Sequence, residues 1–406
     1  MAGYPKYCPE FRVEIDGESL PPALWGCMGS VTYQNSLKGA DRVDVTFANP
    51  DLRWLDHPLL QVDKGFKLFI GYVPEPLEEV FVGEITGVEP SFPNNGMPTV
   101  TVVAHDFLQR LTHGAKDRAF RLSIPSIGNF PLPDALVAAI VSATNLLIPE
   151  PDPVGGALSV VMTIATMIVA PQLAQLAVPL QVQQSDFDFL SELARNNGWE
   201  MYIDHTAQPR GYVLRFNSFI QAYEGPSLTL EYGSSLLDFH PRITTVGDIF
   251  GVSVRIWVPS VQMEFVIVVS WDYDRAAFNL SIYPGLGQID EILGLTAAAK
   301  TIAVEPIGFP QCLQSILAEL LPRLNNRLTG SGSTVGDPRT RASRVIKLEG
   351  LGEQFGGLYR ITSATHTLDS GGYRTRFDVR KDVWFGSIPV PKGASGLLRV
   401  QGRRVT

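Results

Sequence analysis

The chain has 406 residues, 45% of them hydrophobic and 18% charged, with a formal charge of −8. That composition excludes a disordered polypeptide, and the charge supplies no basic field of the kind that draws a protein onto nucleic acid. Three scattered cysteines, Cys8, Cys27 and Cys312, fit neither a disulfide framework nor a zinc cluster.

Sparse charge on a folded chain suits a subunit that buries surface against partners. The start, MAGYPKYCPEFRVEID, lacks a basic stretch followed by an apolar core, so the sequence predicts no signal peptide and places synthesis and assembly in the cytoplasm.

In chain order, the first hundred residues alternate with the period of strands that bury one face. Phe11, Val13 and Ile15 alternate with charged neighbours, as do Val43, Val45 and Phe47 in RVDVTFANP; KGFKLFIGY, EVFVGEITGVEP and PTVTVVAHD follow, separated by turn clusters such as FPNNGMP. This pattern predicts an antiparallel meander or barrel. From Pro131 to Thr144 the period becomes helical, with Leu136, Val137, Ile140 and Val141 on one face. Pro153 to Ser185 then carries no charged side chain. A membrane span needs about 20 predominantly apolar residues. Here Ser159, Thr163 and Thr166 interrupt the run before Pro171, which favours a buried helix or an apolar arm over stable membrane insertion.

SDFDFLSELARNNGWEMYID (185–204) places Asp186, Asp188 and Glu192 close together, as an acid/base pair would. A glycosidase, however, needs carboxyls facing across a cleft about 5–9.5 Å wide, normally from separate segments. A structural reading covers all three. Ser185 caps a helix and Asp188 completes the cap, while Asp186 meets the positive end of the helix dipole. Glu192 pairs with Arg195, and Gly198 supplies the left-handed stop. Phe187, Leu190, Leu193 and Ala194 form the buried stripe. WEMYID and GYVLRF then read as a hairpin, giving a small α+β unit.

Strands return with SLTLEYG, GVSVRIWV and EFVIVVSWDYD. An Ala-rich helix is predicted at Leu295–Val304, followed by a helix from Gln311 to Arg327 on which Leu313, Ile316, Leu317, Leu320 and Leu324 recur. LTGSGSTVGDPRTRA reads as a flexible loop by composition. Tyr359, Ile361 and Ser363, then Tyr373, Thr375, Phe377 and Val379, alternate around DSGG as a hairpin.

A shift of 276 positions superposes residues 85–106 on 361–382 without a gap. It matches Ile85 with Ile361, Thr86 with Thr362, Gly96 with Gly372, Thr99 with Thr375, Val103 with Val379 and Asp106 with Asp382. LFIGY and KLEGLG align upstream if a few residues are inserted in the first copy. The chain therefore reads as a duplicated β unit split by α+β material. Three such chains supply six similar units, which match a six-fold partner on one side and a three-fold partner on the other.

No chemistry-bearing motif is complete. His57, His105, His113, His205, His240 and His366 form no paired metal-ligand spacing, so no metal, cofactor or catalytic residue is assigned. GLGQID, GLGEQFGG and GSGSTVGDP lack the full phosphate-loop or dinucleotide patterns, and the serine elbow is missing. The Gly-rich end, PKGASGLLRVQGRRVT, carries Lys392, Arg399, Arg403 and Arg404. These four are the candidate partner-contact residues, on a segment whose composition suits ordering on an acidic partner.

VQQSDFDFLSELARNNGWEMYI resembles the signature of the late-control protein D family of tail hubs, a Q-x-S-D-x-x-F-L-like helix start before a hairpin. ADRVDVTFANP, FVGEITGVEPSFPNNGMPTVTVVAHD and GLYRITSATHTLDSGGYRTRFDVRKD resemble that family's strands near both ends. The resemblance implies a mainly β, α+β chain in which two tube-like antiparallel β-barrel domains, residues 1–118 and 228–385, flank a small α+β domain at 119–227. The second barrel would hold a helical insertion near 295–327, and 386–406 would be a C-terminal tail. The implied function is that of a non-enzymatic baseplate hub in a contractile phage tail or phage-like injection particle. It would be a homotrimer joining the hexameric tail tube protein to a separate trimeric spike, beside other baseplate subunits. The uncharged segment at 154–180 is longer than that pattern. The rival reading is a tail-associated cell-wall-degrading or carbohydrate-binding protein using the acids at 186–192.

Overall fold

The computed structural model describes residues 8–124, 128–169, 178–218, 225–244, 251–258, 263–272, 277–284, 299–302, 318–382 and 385. The first strands are β1 (Cys8–Ile15), β2 (Glu18–Ser19), β3 (Met28–Ser36), β4 (Arg42–Ala48), β5 (Gly65–Val73), β6 (Glu78–Ser91) and β7 (Thr99–Asp106). In the middle of the chain β8 (Lys116–Ala119), β9 (Arg121–Ile124), β10 (Gly128–Pro131), β11 (Ile148–Pro151), β12 (Leu180–Gln184), β13 (Trp199–Ile203) and β14 (Val213–Ser218) accompany helices Asp134–Thr144, Pro153–Val169 and Asp186–Asn197. The remaining strands are β15 (Leu228–Glu231), β16 (Leu236–Ile243), β17 (Gly251–Val258), β18 (Met263–Asp272), β19 (Ala277–Pro284), β20 (Ala299–Ile302), β21 (Leu328–Val335), β22 (Val345–Glu349), β23 (Gly357–Asp369) and β24 (Gly372–Arg380).

The chain is mainly β. Among the described residues its two ends do not close into separate barrels. Their strands instead join in one 13-stranded sheet ordered β16-β21-β24-β23-β3-β4-β7-β6-β5-β1-β2, with β22 and β15 attached beside β23. The strands GVSVRIWV and EFVIVVSWD stand apart from it in a four-stranded sheet, β19-β18-β17-β20.

Within the large sheet the order β3-β4-β7-β6-β5 repeats as β16-β21-β24-β23-β22. Two irregularities repeat with it. The β6–β7 ladder slips between Ile85 and Gly87, and the β23–β24 ladder slips between Ile361 and Ser363, 276 positions on. The β3–β4 ladder slips between Met28 and Ser30, and the β16–β21 ladder slips between Leu236 and Asp238, 208 positions on. Bulges fix where a strand bends and which face its side chains take, so their coincidence marks equivalent modules. The upstream strand agrees too: Ile85 exchanges backbone bonds with Asp63 and Lys64, and Ile361 with Ser343 and Arg344. The modules diverge beyond it, since β1 runs antiparallel to β5 whereas β15 runs parallel to β22.

The gapless superposition holds for one strand of the hairpin and fails for the other. Gly87 faces Val103 while Ser363 faces Asp378, so β7 maps onto β24 with a shift of 275. Buried Val100, Val102 and Ala104 then superpose on buried Thr375, Phe377 and Val379. The matches of Gly96, Thr99, Val103 and Asp106 at 276 lie one residue out of structural register.

Three further expectations are corrected. Ala299–Ile302, assigned above to a helix, is strand β20, paired in parallel with β17. The flexible loop of LTGSGSTVGDPRTRA begins as strand β21. Its glycines are required by packing, because a Cβ at Gly330 would stand 2.6 Å from the Phe239 ring and one at Gly332 would stand 2.9 Å from the Phe377 ring. On helix Asp134–Thr144 the buried face is Ala135, Val137, Ala138 and Val141, while Leu136 and Ile140 are exposed. Residues 318–325 are helical with Leu320 and Leu324 buried, whereas Leu313, Ile316 and Leu317 lie outside the described residues.

The first module's core joins Val31, Tyr33, Val45, Phe47, Phe66 and Phe81 to Leu368 and Tyr373 of the second. Each large apolar side chain so buried contributes roughly 1.5–3 kcal/mol. A second core lies under the helices of the middle unit, around Phe107, Val137, Leu190, Trp199 and Phe216. No helix of the described residues is long and apolar enough to cross a membrane. The uncharged helix Pro153–Val169 is held where Ser159 Oγ accepts the Ala135 amide at 3.2 Å, and it leaves Val160, Val161 and Ile164 exposed.

Candidate assembly interface

The two modules meet where β23 lies antiparallel to β3, from Ser363 opposite Ser36 to Leu368 opposite Val31. Beneath this seam a set of polar groups is paired. Tyr33 donates its hydroxyl to Asp41 Oδ2 at 3.0 Å, Asn35 Nδ2 donates to the same oxygen, and the Ser36 amide donates to Asp41 Oδ1 at 3.1 Å. The Ala342 amide reaches across to Asn35 Oδ1, and Tyr72 donates to the Gly336 carbonyl at 2.8 Å.

His366 stacks on Tyr33 with ring centroids 5.5 Å apart. Its Nε2 donates to the Thr340 carbonyl (2.9 Å), so Nδ1 accepts, from Tyr373 at 2.8 Å and Thr375 at 3.0 Å. Burial first, then the Arg341 charge, pushes this imidazole down to about 3. It is a neutral core histidine.

The middle unit braces the seam from one side. Tyr202 Oη lies 2.8 Å from Ser343 Oγ, Arg344 donates to Thr206 Oγ1 at 2.7 Å, and Arg380 pairs with Glu200. Beside it opens a groove of about 1090 Å³ lined by Lys38, Phe187, Arg195, His240 and Arg242 among others.

The acids of the helix start have structural partners. Ser185 Oγ accepts the Asp188 amide at 3.0 Å, and Gly198 stands in the left-handed region at φ 67°, as the sequence predicts. Asp186 does more than face the helix dipole. It is fully buried and receives Lys116, Arg118 (3.2 Å), Asn145 (2.8 Å) and Gln181 (2.9 Å). Burial alone would raise its carboxyl, but these donors outweigh burial and hold it below the usual range. Glu192 accepts from Gln184 at 3.3 Å rather than pairing with Arg195. A carboxylate already holding four donors has no free lone pair for general-base work.

One cluster escapes sequence reasoning. Asp41, Asp106 and His205, all buried, converge from three distant segments. His205 Nε2 lies 3.3 Å from Asp41 Oδ2 and 3.9 Å from Asp106 Oδ2, without hydrogen-bond alignment to either. Its Nδ1 accepts the Val82 amide at 3.3 Å, so in the neutral imidazole Nε2 carries the proton. A metal ligand needs a bare nitrogen there with the proton on the other side, so the tautomer suits a brace between module and middle unit. Burial first, then the Asp41 charge, raises the Asp106 carboxyl well above its ordinary value. Lys392, Arg399, Arg403 and Arg404 lie outside the described residues.

The family model described as "Alg8 N-terminal domain" matches residues 164–370, just over half of the chain. No curated protein matches the sequence. Among solved structures, the 43 kDa tail protein of prophage MuSo2 from Shewanella oneidensis aligns at TM-score 0.58 and 12% identity, covering 92% of this chain and 98% of that one. A tail protein from Neisseria meningitidis MC58 aligns at TM-score 0.60 and 11% identity, covering 94% and 100%. An E. coli type VI secretion system component, described as structurally similar to T4 bacteriophage tail proteins gp27 and gp5, aligns at TM-score 0.51 and 12% identity, covering 93% and 79%. At these identities the likeness establishes a shared fold.

Proposed function

We propose, for a chain that belongs to the Alg8 N-terminal domain family and shares its fold with phage tail proteins, that it is the hub subunit of a contractile tail or phage-like injection particle. In this reading it is a non-enzymatic homotrimer of the late-control protein D type, seated in the baseplate between the hexameric tail tube and a trimeric spike. The observation that carries the proposal is the pair of equivalent modules with matching bulges at Thr86 and Thr362 and at Gly29 and Leu237. Three copies of a chain with two equivalent modules present six similar units around a ring, so one protein satisfies a six-fold and a three-fold neighbour. The saturated Asp186 and the structural employment of Asp188 and Glu192 favour this over a wall-degrading role.

Light scattering of the purified chain, alone and mixed with its tail tube and spike proteins, tests the proposal. A trimer that binds both is the expected result, and a monomer under every condition rejects it. Lys392, Arg399, Arg403 and Arg404 are proposed to contact one of these partners. Deleting residues 392–406 is expected to weaken that contact while leaving the melting temperature of the chain unchanged.

A further inference from the structure

We infer that chains join through a strand seam that repeats the seam inside each chain: Gly87–Phe92 along β6 pairs antiparallel with Phe239–Thr244 of the next copy, setting Glu89 opposite the partner's Arg242. The inference rests on the trimeric reading and adds its register.

The two long strands β6 and β23 show why. β23 uses Leu358–Arg360 to pair with β22 and Ser363–Leu368 to pair with β3. β6 uses Glu78–Glu84 to pair with β5, but among the described residues nothing pairs with the outer edge of Gly87–Ser91. The equivalent of β3 in the second module is β16, which ends the sheet; among the described residues no strand pairs with its outer edge from Phe239 to Ile243. Each chain thus carries both halves of a seam it has already built once. Exposure follows the same division. Leu368, inside the built seam, is 4% exposed, whereas its equivalent Phe92 is 60% exposed.

The register follows by transposition. Thr365 faces Gln34 within the chain; the module shifts of 276 and 208 carry that rung to Glu89 and Arg242. His366 opposite Tyr33 becomes Pro90 opposite Pro241, and Leu368 opposite Val31 becomes Phe92 opposite Phe239. The transposed rung sets an acid against a base. Both side chains are exposed, on strands where opposite charges across a rung attract.

The prolines fit as well. Leu37 N donates to the Thr362 carbonyl, which fixes the phase so that His366 and Tyr33 form a hydrogen-bonded pair. Thr244 N donates to the Arg327 carbonyl, so Pro241 likewise points its missing N–H outward. Prolines at outward positions guard an edge against indiscriminate pairing. They also shorten the ladder, leaving the rungs at Val88 and Phe92 to supply the backbone bonds. A seam this short suits a closed ring, in which every chain is held twice.

Glu89 and Arg242 would form a non-hydrogen-bonded pair, with Cα atoms about 4.5 Å apart, within disulfide range. Oxidising the E89C/R242C variant is expected to give a covalent trimer and nothing larger, with the wild-type chain as the control for native cysteines. The offset pair E89C/H240C is expected to give none. Reversing either charge, E89R or R242E, should raise the concentration needed for trimer formation several-fold, and E89R/R242E together should restore it. A trimer by light scattering that fails to cross-link at this pair overturns the register and leaves the hub reading standing. Cross-linked species larger than a trimer overturn closure at three chains. A chain that stays monomeric with tube and spike present overturns the reading beneath both.

Discussion

Thr86 and Thr362 stand 276 positions apart and do the same thing: the first donates its hydroxyl to the Val103 carbonyl at 3.4 Å, the second to the Asp378 carbonyl at 3.2 Å. Each sits at the extra residue of a bulge and bonds to the carbonyl of the residue facing it. Two ladders that slip at the same place and are held by the same side chain are copies of one module.

The packing of these modules leaves little room at certain glycines. A Cβ at Gly83 would stand 2.1 Å from the His105 carbonyl oxygen, and one at Gly336 would stand 2.0 Å from the Tyr373 ring. Both obstacles are rigid. Gly83→Ala and Gly336→Ala are each expected to cost about 2–3 kcal/mol, within the range for overpacked cores. Gly26→Ala, whose Cβ would meet its nearest atom at 3.4 Å, is expected to change stability by less than about 1 kcal/mol. Urea unfolding of the three variants checks the contrast; equal costs would mean the strands separate more easily than their spacing implies.

Asp186 and Ser185 adjoin in sequence and differ in energy. Removing the charge of Asp186 leaves Lys116 and Arg118 facing a buried site without their counter-ion. Asp186→Asn is expected to cost about 3 kcal/mol, as breaking a buried ion pair does, and Ser185→Ala about 1 kcal/mol for a lost cap. The pH sign follows from the depressed carboxyl. Its contribution is present above the unfolded value of about 3.9 and is lost as pH falls through the lower folded value. Denaturant titrations at pH 7 and below pH 4 should therefore show the wild-type advantage over Asp186→Asn shrinking at low pH.

How far the sequence reveals this fold depends on the distance over which each feature is specified. The Ser185 cap and the Gly198 stop are local and legible, as are the strands whose alternation buries one face. The repeat is legible in β6 and β23, where a constant shift survives, and that shift runs one residue out of register across the hairpin. The lost residue lies in the turn between 91 and 99, where packing does not hold the length. The β3–β16 and β4–β21 correspondences follow different shifts, because β17–β20 and residues 318–325 intervene between β16 and β21. Strand β21 reads as a loop in the sequence because its glycines answer to Phe239 and Phe377 on other strands. Asp41, Asp106 and His205 meet only through tertiary structure, and no spacing along the chain announces them.

His366 supplies a pH dependence of its own. Its imidazole is buried neutral, pushed down to about 3, against about 6.5 in the unfolded chain. Between those values the unfolded chain binds a proton that the folded chain does not, so stability falls as pH falls, by about 1.4 kcal/mol per pH unit. Above about pH 6.5 both states are neutral and the dependence vanishes. Asp106 acts in the opposite sense, since its raised carboxyl makes the folded state the better proton binder. The comparison must therefore be made between chains that share Asp106. Wild type and His366→Gln unfolded in urea at pH 7, 6, 5 and 4.5 make that comparison. The variant is expected to start less stable, having lost the contact with Tyr33 and the bond to Thr340, and to converge on wild type as pH falls. Parallel curves from pH 7 to 4.5 would mean that His366 takes up its proton without leaving the seam.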